Sequence, residues 1–149
     1  MAASGATYPH GFNHGVTIRG APVLNLHSKN VKWVDSNAGA NGDGTFNRPY
    51  ATVASAHTQS SAGDIIAAKE GHTETLTTAN VITLSTAGVA VLGLGQGNRR
   101  PTFTCSQTSV GDVVFTMSGA NTSVENVIFV GNKNAATTPI SVTAIGCLL

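Results

Sequence analysis

The sequence predicts an all-β fold, a three-sided parallel β-helix with a short N-terminal capping helix and an extended N-terminal arm. Three observations predict it. Short apolar stretches recur at 63–68, 88–94 and 121–129, each bounded by Gly, Asn or Thr, which is the pattern of a chain winding through short strands rather than alternating strands with helices. Thr, Ala, Gly, Ser, Asn and Val dominate while Lys, Glu and Leu are scarce, so long amphipathic helices lack material and strands do not. From residue 63 onward the strand-like runs fall in threes: 65–68, 73–77 and 81–84, then 89–94, 101–105 and 113–117, then 124–130 continuing to 140–145.

The elements follow in order. Residues 1–30 read as an arm: 8–15 is turn-rich without hydrophobic period, 16–20 and 21–26 are two short strands, and Pro22 suits an edge strand. Residues 31–62 lead into the coil. Val31–Asp35 alternates as a strand, and residues 36–44 form a long turn marked by Asn-Gly and Asp-Gly pairs. Residues 49–57 are the best helix candidate. Tyr50, Val53, Ala54 and His57 share one face, and Pro49 suits the first turn. So short a helix is marginal alone; its expected task is to cover the open end of a sheet stack. Residues 63–149 are the coil itself, with corners and loops at 69–72, 96–101 and 131–134. Apolar residues run to Leu149 without a polar cap, so the expectation is that the coil continues beyond residue 149 or is capped by a partner.

Composition excludes several classes of function. A net charge of +1 with 10% charged residues gives no electrostatic basis for binding nucleic acid or an anionic membrane. With 149 residues, 41% of them hydrophobic, one main domain with a core is expected rather than a disordered chain. No apolar run reaches membrane-spanning length, and residues 1–5 lack the basic and apolar regions of a signal peptide. Cys105 and Cys147 each end a strand-like run. They read as two buried thiols acting as small hydrophobes, with a disulfide open to them if they stack.

Residues 33–35, 42–45 and 48–53, followed by 62–66 and 70–74, resemble the lead-in segment of pectin-lyase-like right-handed β-helices: a strand, a Gly/Asp turn, a Pro-aromatic helix start, then Gly-Asp-Ile. More narrowly, residues 8–12, 15–22, 88–95 and 100–104 are similar to tailed-bacteriophage structural proteins that join an N-terminal arm to a β-helix. The resemblance spans about Tyr8 to Val130. It implies a right-handed coil and a virion role, and it carries over no catalytic residue.

Candidate chemistry is sparse. Polysaccharide-cleaving coils gather carboxylates on one face, and Glu70, Glu74 and Glu125 are the residues that would do so here. Asp64 and Asp112 belong to turns, and the chain is only 5% aromatic. His10 and His14 are spaced like a helical metal pair, but Gly11 and Gly15 argue for a loop. Asp35, Asn37, Asn41 and Asp43 could offer oxygens to calcium, but Gly39 and Phe46 stand where an EF-hand needs ligands, and an Asx-rich turn is the better reading. The glycines of 93–97 are followed by neither a helix nor a Lys-Ser/Thr pair, so no nucleotide site is inferred. Arg99 and Arg100 read as a solvated corner. No Gly-x-Ser-x-Gly elbow exists.

The expectation is therefore a non-enzymatic virion protein, without cofactor or metal. It would assemble in the host cytoplasm and decorate or cement the capsid. Its arm would meet the major capsid protein or other virion subunits through Phe12, Val16, Ile18, Val23 and Leu24. A homotrimer is the expected state, since three coils side by side can each bury one apolar flank. The alternative is a tail fibre or tailspike component that binds or cleaves host surface polysaccharide.

Overall fold

The computed structural model of the chain describes residues 16–18, 21–23, 31–39, 42–79, 81–107, 112–131 and 139–149. It is mostly β, with parallel sheets and little helix. In chain order the elements are β1 (Val16–Ile18), β2 (Ala21–Val23), β3 (Val31–Val34), α1 (Val53–Thr58), β4 (Ile65–Ala68), β5 (Thr73–Leu76), β6 (Ile82–Leu84), β7 (Ala90–Gly93), β8 (Thr102–Cys105), β9 (Phe115–Met117), β10 (Ser123–Glu125), β11 (Ile128–Gly131) and β12 (Ile140–Val142).

From β4 the chain visits three sheets in rotation. The first sheet has the order β10-β7-β4-β3, the second β11-β8-β5 and the third β12-β9-β6. Every pairing within them is parallel. Register repeats without slippage: Ile65 lies beside Ala90 and Ala90 beside Ser123, while Thr73 lies beside Thr102 and Thr102 beside Ile128. β1 and β2 form a separate antiparallel hairpin, Val16 opposite Val23.

In a strand, alternate residues face opposite ways. One parity of each strand enters a common core, to which the first sheet gives Val34, Ile66, Val91 and Val124, the second Leu76, Phe103 and Cys105, and the third Ile82, Leu84, Phe115 and Met117. Phe103, Phe115 and Phe129 meet there with ring centroids 5.2–6.0 Å apart, tilted or edge to face, a favoured arrangement for aromatic quadrupoles.

The corner before the first sheet is built the same way each time. Gly63, Gly88, Asn121 and Gly146 have φ of 83°, 70°, 56° and 71°, a region open to glycine and tolerated by asparagine. Gly63 N–H donates to the Ala87 carbonyl at 3.1 Å, Gly88 N–H to Ala120 at 2.8 Å and Asn121 N–H to Ile145 at 3.0 Å. Each corner is thus tied to the next.

Three boundaries differ from expectation for local reasons. Residues 124–130 are two strands, because Asn126 turns the chain at φ 55° and its Nδ2 donates to the carbonyls of Gly93 (2.8 Å) and Gly95 (3.1 Å). The helix begins at Val53 rather than Pro49. Tyr50 is held to β3, its N–H donating to Trp33 O at 2.8 Å and its carbonyl accepting from Asp35 N–H at 2.9 Å, and Thr52 caps the helix by accepting from Ser55 N–H. Finally, 140–145 contributes a strand only to Val142, with Thr143 and the Ala144–Gly146 turn leading into the next corner.

Gly93 ends β7 where a Cβ would collide with the Asn126 carbonyl oxygen and meet Pro101 Cδ at 3.0 Å. Gly93→Ala is expected to lower stability by about 1–3 kcal/mol through overpacking, read as a lowered urea midpoint. An unchanged midpoint would show that this contact is not tight.

Candidate interaction surface

The residues left outside the core define the surface. On the second sheet the outward parity is Thr73, Thr75, Thr102 and Thr104, with Ile128 and Val130 on the last strand. On the third it is Thr83, Thr116 and Ser141. The first sheet is different. Its outward rows are Val31, Ile65, Ala90, Ser123 and Trp33, Ala67, Leu92, Glu125. Val31 and Leu92 keep 42% and 37% of their surface exposed, whereas Ala67 keeps 4%. Phe46 extends this apolar strip: its ring meets Trp33 edge-on at 4.9 Å, and Lys69 Nζ lies 4.4 Å from its centroid.

The five arm residues are not brought into a described site. Phe12 and Leu24 lie outside the described residues. Val16, Ile18 and Val23 lie in the β1–β2 hairpin, where the backbone is described and the side chains are not. His10, His14 and Asn41 also lie outside the described residues.

The candidate carboxylates have internal partners. Glu70 pairs with Arg99 Nη2 at 2.7 Å in an exposed corner. Glu74 is nearly buried; its Oε1 accepts from His72 Nε2 at 2.8 Å and from Val53 N–H at 2.7 Å, fastening the start of α1. Glu125 is exposed on β10 beside Leu92. Asp64 is buried, and its Oδ2 accepts from Ser61 N–H at 2.9 Å. Among the described residues, no group of three or more His, Cys, Asp or Glu side chains converges, and no helix is long and apolar enough to cross a membrane.

The 35–48 loop is organised by Asx turns. Asp35 Oδ1 accepts from Asn37 N–H at 2.9 Å, and Asp43 Oδ1 accepts from Thr45 N–H at 3.1 Å and Thr45 Oγ1 at 2.7 Å. Lys69 and Arg48 pair with Asp35 and Asp43 at 3.4 Å and 3.3 Å. A cleft of about 440 Å³ is lined by Asp35, Asn37, Arg48 and Lys69.

Both cysteines are free thiols. Cys105 is in the core, where burial raises its pKa. Cys147 is half-buried, with Sγ 3.2 Å from Thr122 Oγ1. Sequence reasoning missed the outer face of the first sheet, although the signal was present: Ile65-Ile66-Ala67-Ala68 and Ala90-Val91-Leu92 are apolar at both parities, whereas β5, β6, β8 and β9 alternate with Thr.

Compared with models of protein families, with curated proteins and with solved structures, the chain finds no match.

The two loop aspartates set an acid limit. Burial raises the Asp35 pKa, but the Asn37 N–H and Lys69 outweigh it and leave the value below 3.8. The hydroxyl and N–H of Thr45 lower that of Asp43. Carboxylates depressed in the folded state add stability above their ordinary pKa and lose it as pH falls through the folded value. Melting temperature is therefore expected to fall below about pH 4, and less steeply in the Asp35→Asn/Asp43→Asn double variant. Parallel curves would remove these two groups from the acid limit.

Proposed function

We propose that this chain is a structural protein of a tailed-phage virion that decorates or cements the capsid and is held there by its N-terminal arm. Its body is a right-handed, three-sided parallel β-helix, the three sheets being its sides. Strand order supports this, since from β4 onward each strand pairs with the strand three positions on and parallel crossovers are overwhelmingly right-handed. The virion itself rests on the resemblance of residues 8–12, 15–22, 88–95 and 100–104 to phage structural proteins.

The observation that carries a docking function is the division of the outer surface. The third sheet and the first two strands of the second present Thr and Ser to water, with Ile128 and Val130 only on β11, while the first sheet presents Val31, Trp33 and Leu92 beside Phe46. That flank is the one buried in a homotrimer around a three-fold axis. Four strands at roughly 4.8 Å spacing, each about four residues of roughly 3.3 Å, cover only about 250 Å², short of the roughly 800 Å² per partner of a stable interface. The arms supply the remainder, against sister subunits and the major capsid protein. The engagement of Glu70 by Arg99 and of Glu74 beneath α1 favours docking over bond cleavage. No cofactor, nucleic acid or membrane enters this reading.

Two measurements test it. Light scattering should give a trimer mass for the chain and a monomer mass for Leu92→Glu, with circular dichroism unchanged; a trimer that survives the substitution places the interface elsewhere. Deletion of residues 1–30 should leave the body folded and abolish attachment to virions. Labelling confined to the tail tip, or release of reducing sugar ends from host capsule, would replace decoration with the fibre or tailspike alternative.

A further inference from the structure

Helix α1 closes one end of the core. It packs against β3, β4 and β6, and Val53 and Ala56 on it are fully buried. Its start is fastened by Glu74. Its last turn is fastened by His57, whose Nε2 lies 3.2 Å from both Ser85 N and Thr86 N. A backbone N–H can only donate. Nε2 must therefore carry a lone pair, and the ring is the neutral tautomer with its proton on Nδ1. Protonation would set a third N–H against two others, with no acceptor among them.

We propose that His57 is an acid-operated latch: a proton on Nε2 ejects the ring from the Ser85–Thr86 corner and frees α1 from the end of the core. Charged neighbours offer little compensation. On the elements packed against α1, Lys32 of β3 carries the same sign as the imidazolium. Asp64, ahead of β4, accepts from Ser61 N–H. Glu74 is committed at the opposite end of the helix to Val53 N–H and to His72, the other histidine at this site. Burial alone holds the His57 pKa below its ordinary 6.5, the direction a neutral acceptor role requires. A base with a depressed folded pKa adds stability above the ordinary value and loses it as pH falls towards the folded one. The latch therefore weakens from about pH 6.5 downward. Release exposes the apolar end that Val53 and Ala56 cover, a surface distinct from the first-sheet flank.

The test is amide hydrogen exchange on the full chain from pH 7.5 to 5, corrected for intrinsic rates. Protection at Ser85, Thr86 and α1 should drop up to tenfold per pH unit below about 6.5, while Phe103 and Cys105 in β8 stay protected. His57→Gln, whose side-chain carbonyl accepts the same bonds without titrating, should abolish the pH dependence. Equal profiles in the two proteins, or loss of β8 protection in the same window, would overturn the latch. Should the variant fail to fold, ¹⁵N shifts of the wild-type ring decide directly. Nδ1–H at neutral pH supports the proposal, and Nε2–H ends it.

Discussion

Parallel strands stacked in constant register are the constraint from which the rest follows. A parallel ladder requires each strand to be followed by a crossover before its neighbour can form. From β4 onward every crossover returns through the same two other sheets. Because register does not slip, the residue beginning each first-sheet corner falls on the one before it, and its backbone must take the same left-handed conformation each time. Gly63, Gly88, Asn121 and Gly146 satisfy that demand. Moving one of them by one position would turn the following strand's core residues outward. The corners thus fix which side chains reach the core and which reach the surface.

How much of this was legible in the sequence depends on whether a residue's role was local. Strands such as Ile65–Ala68 and Thr102–Cys105 were readable because β-branched and apolar residues sit between turn residues. The corner column was written as Ala-Gly at 62–63 and 87–88 and Ala-Asn at 120–121, but an asparagine standing for a glycine, and a longer loop between the second and third, obscured the repeat. Asn126 was hidden inside a run that reads as one strand, because its turn is stabilised by carbonyls of the preceding layer rather than by its neighbours. Pro49 and Tyr50 looked like a helix start because propensity is blind to the edge of β3, which claims Tyr50 first. The carboxylates illustrate the same limit. Nothing near Glu74 in sequence says that it holds the amide of Val53.

Helix α1 shows how a short element can be stable when its ends are satisfied from outside. Six residues form too little helix to persist alone. Thr52 caps one donor, Glu74 takes the Val53 N–H and His57 is anchored to a distant corner. Two of these three contacts involve ionisable side chains buried or half-buried at the edge of an apolar core. The bond to the Glu74 carboxylate is stronger than a neutral one, and either contact is costly when its buried partner is left unpaired. The cap is consequently the part of the fold whose attachment depends most on protonation.

The division of the surface needs a cause beyond folding. Threonine meets two demands at once on a solvent-facing strand, since its branched Cβ suits the pleated backbone and its hydroxyl suits water. The second and third sheets use it at outward positions of successive strands. The same solution was open to the first sheet at Val31, Trp33 and Leu92, and it is not used there. The core does not require these residues, for they have the opposite parity to Val34 and Val91. Each Å² of apolar surface left in water forgoes about 25 cal/mol, and edge-exposed apolar strands favour aggregation. Val130 on the second sheet carries the same penalty at one residue, but Val31, Leu92 and the neighbouring Phe46 concentrate it on the first sheet, and a partner over that flank would relieve it. Sister copies are the simplest cover, because they bring the same unsatisfied flank.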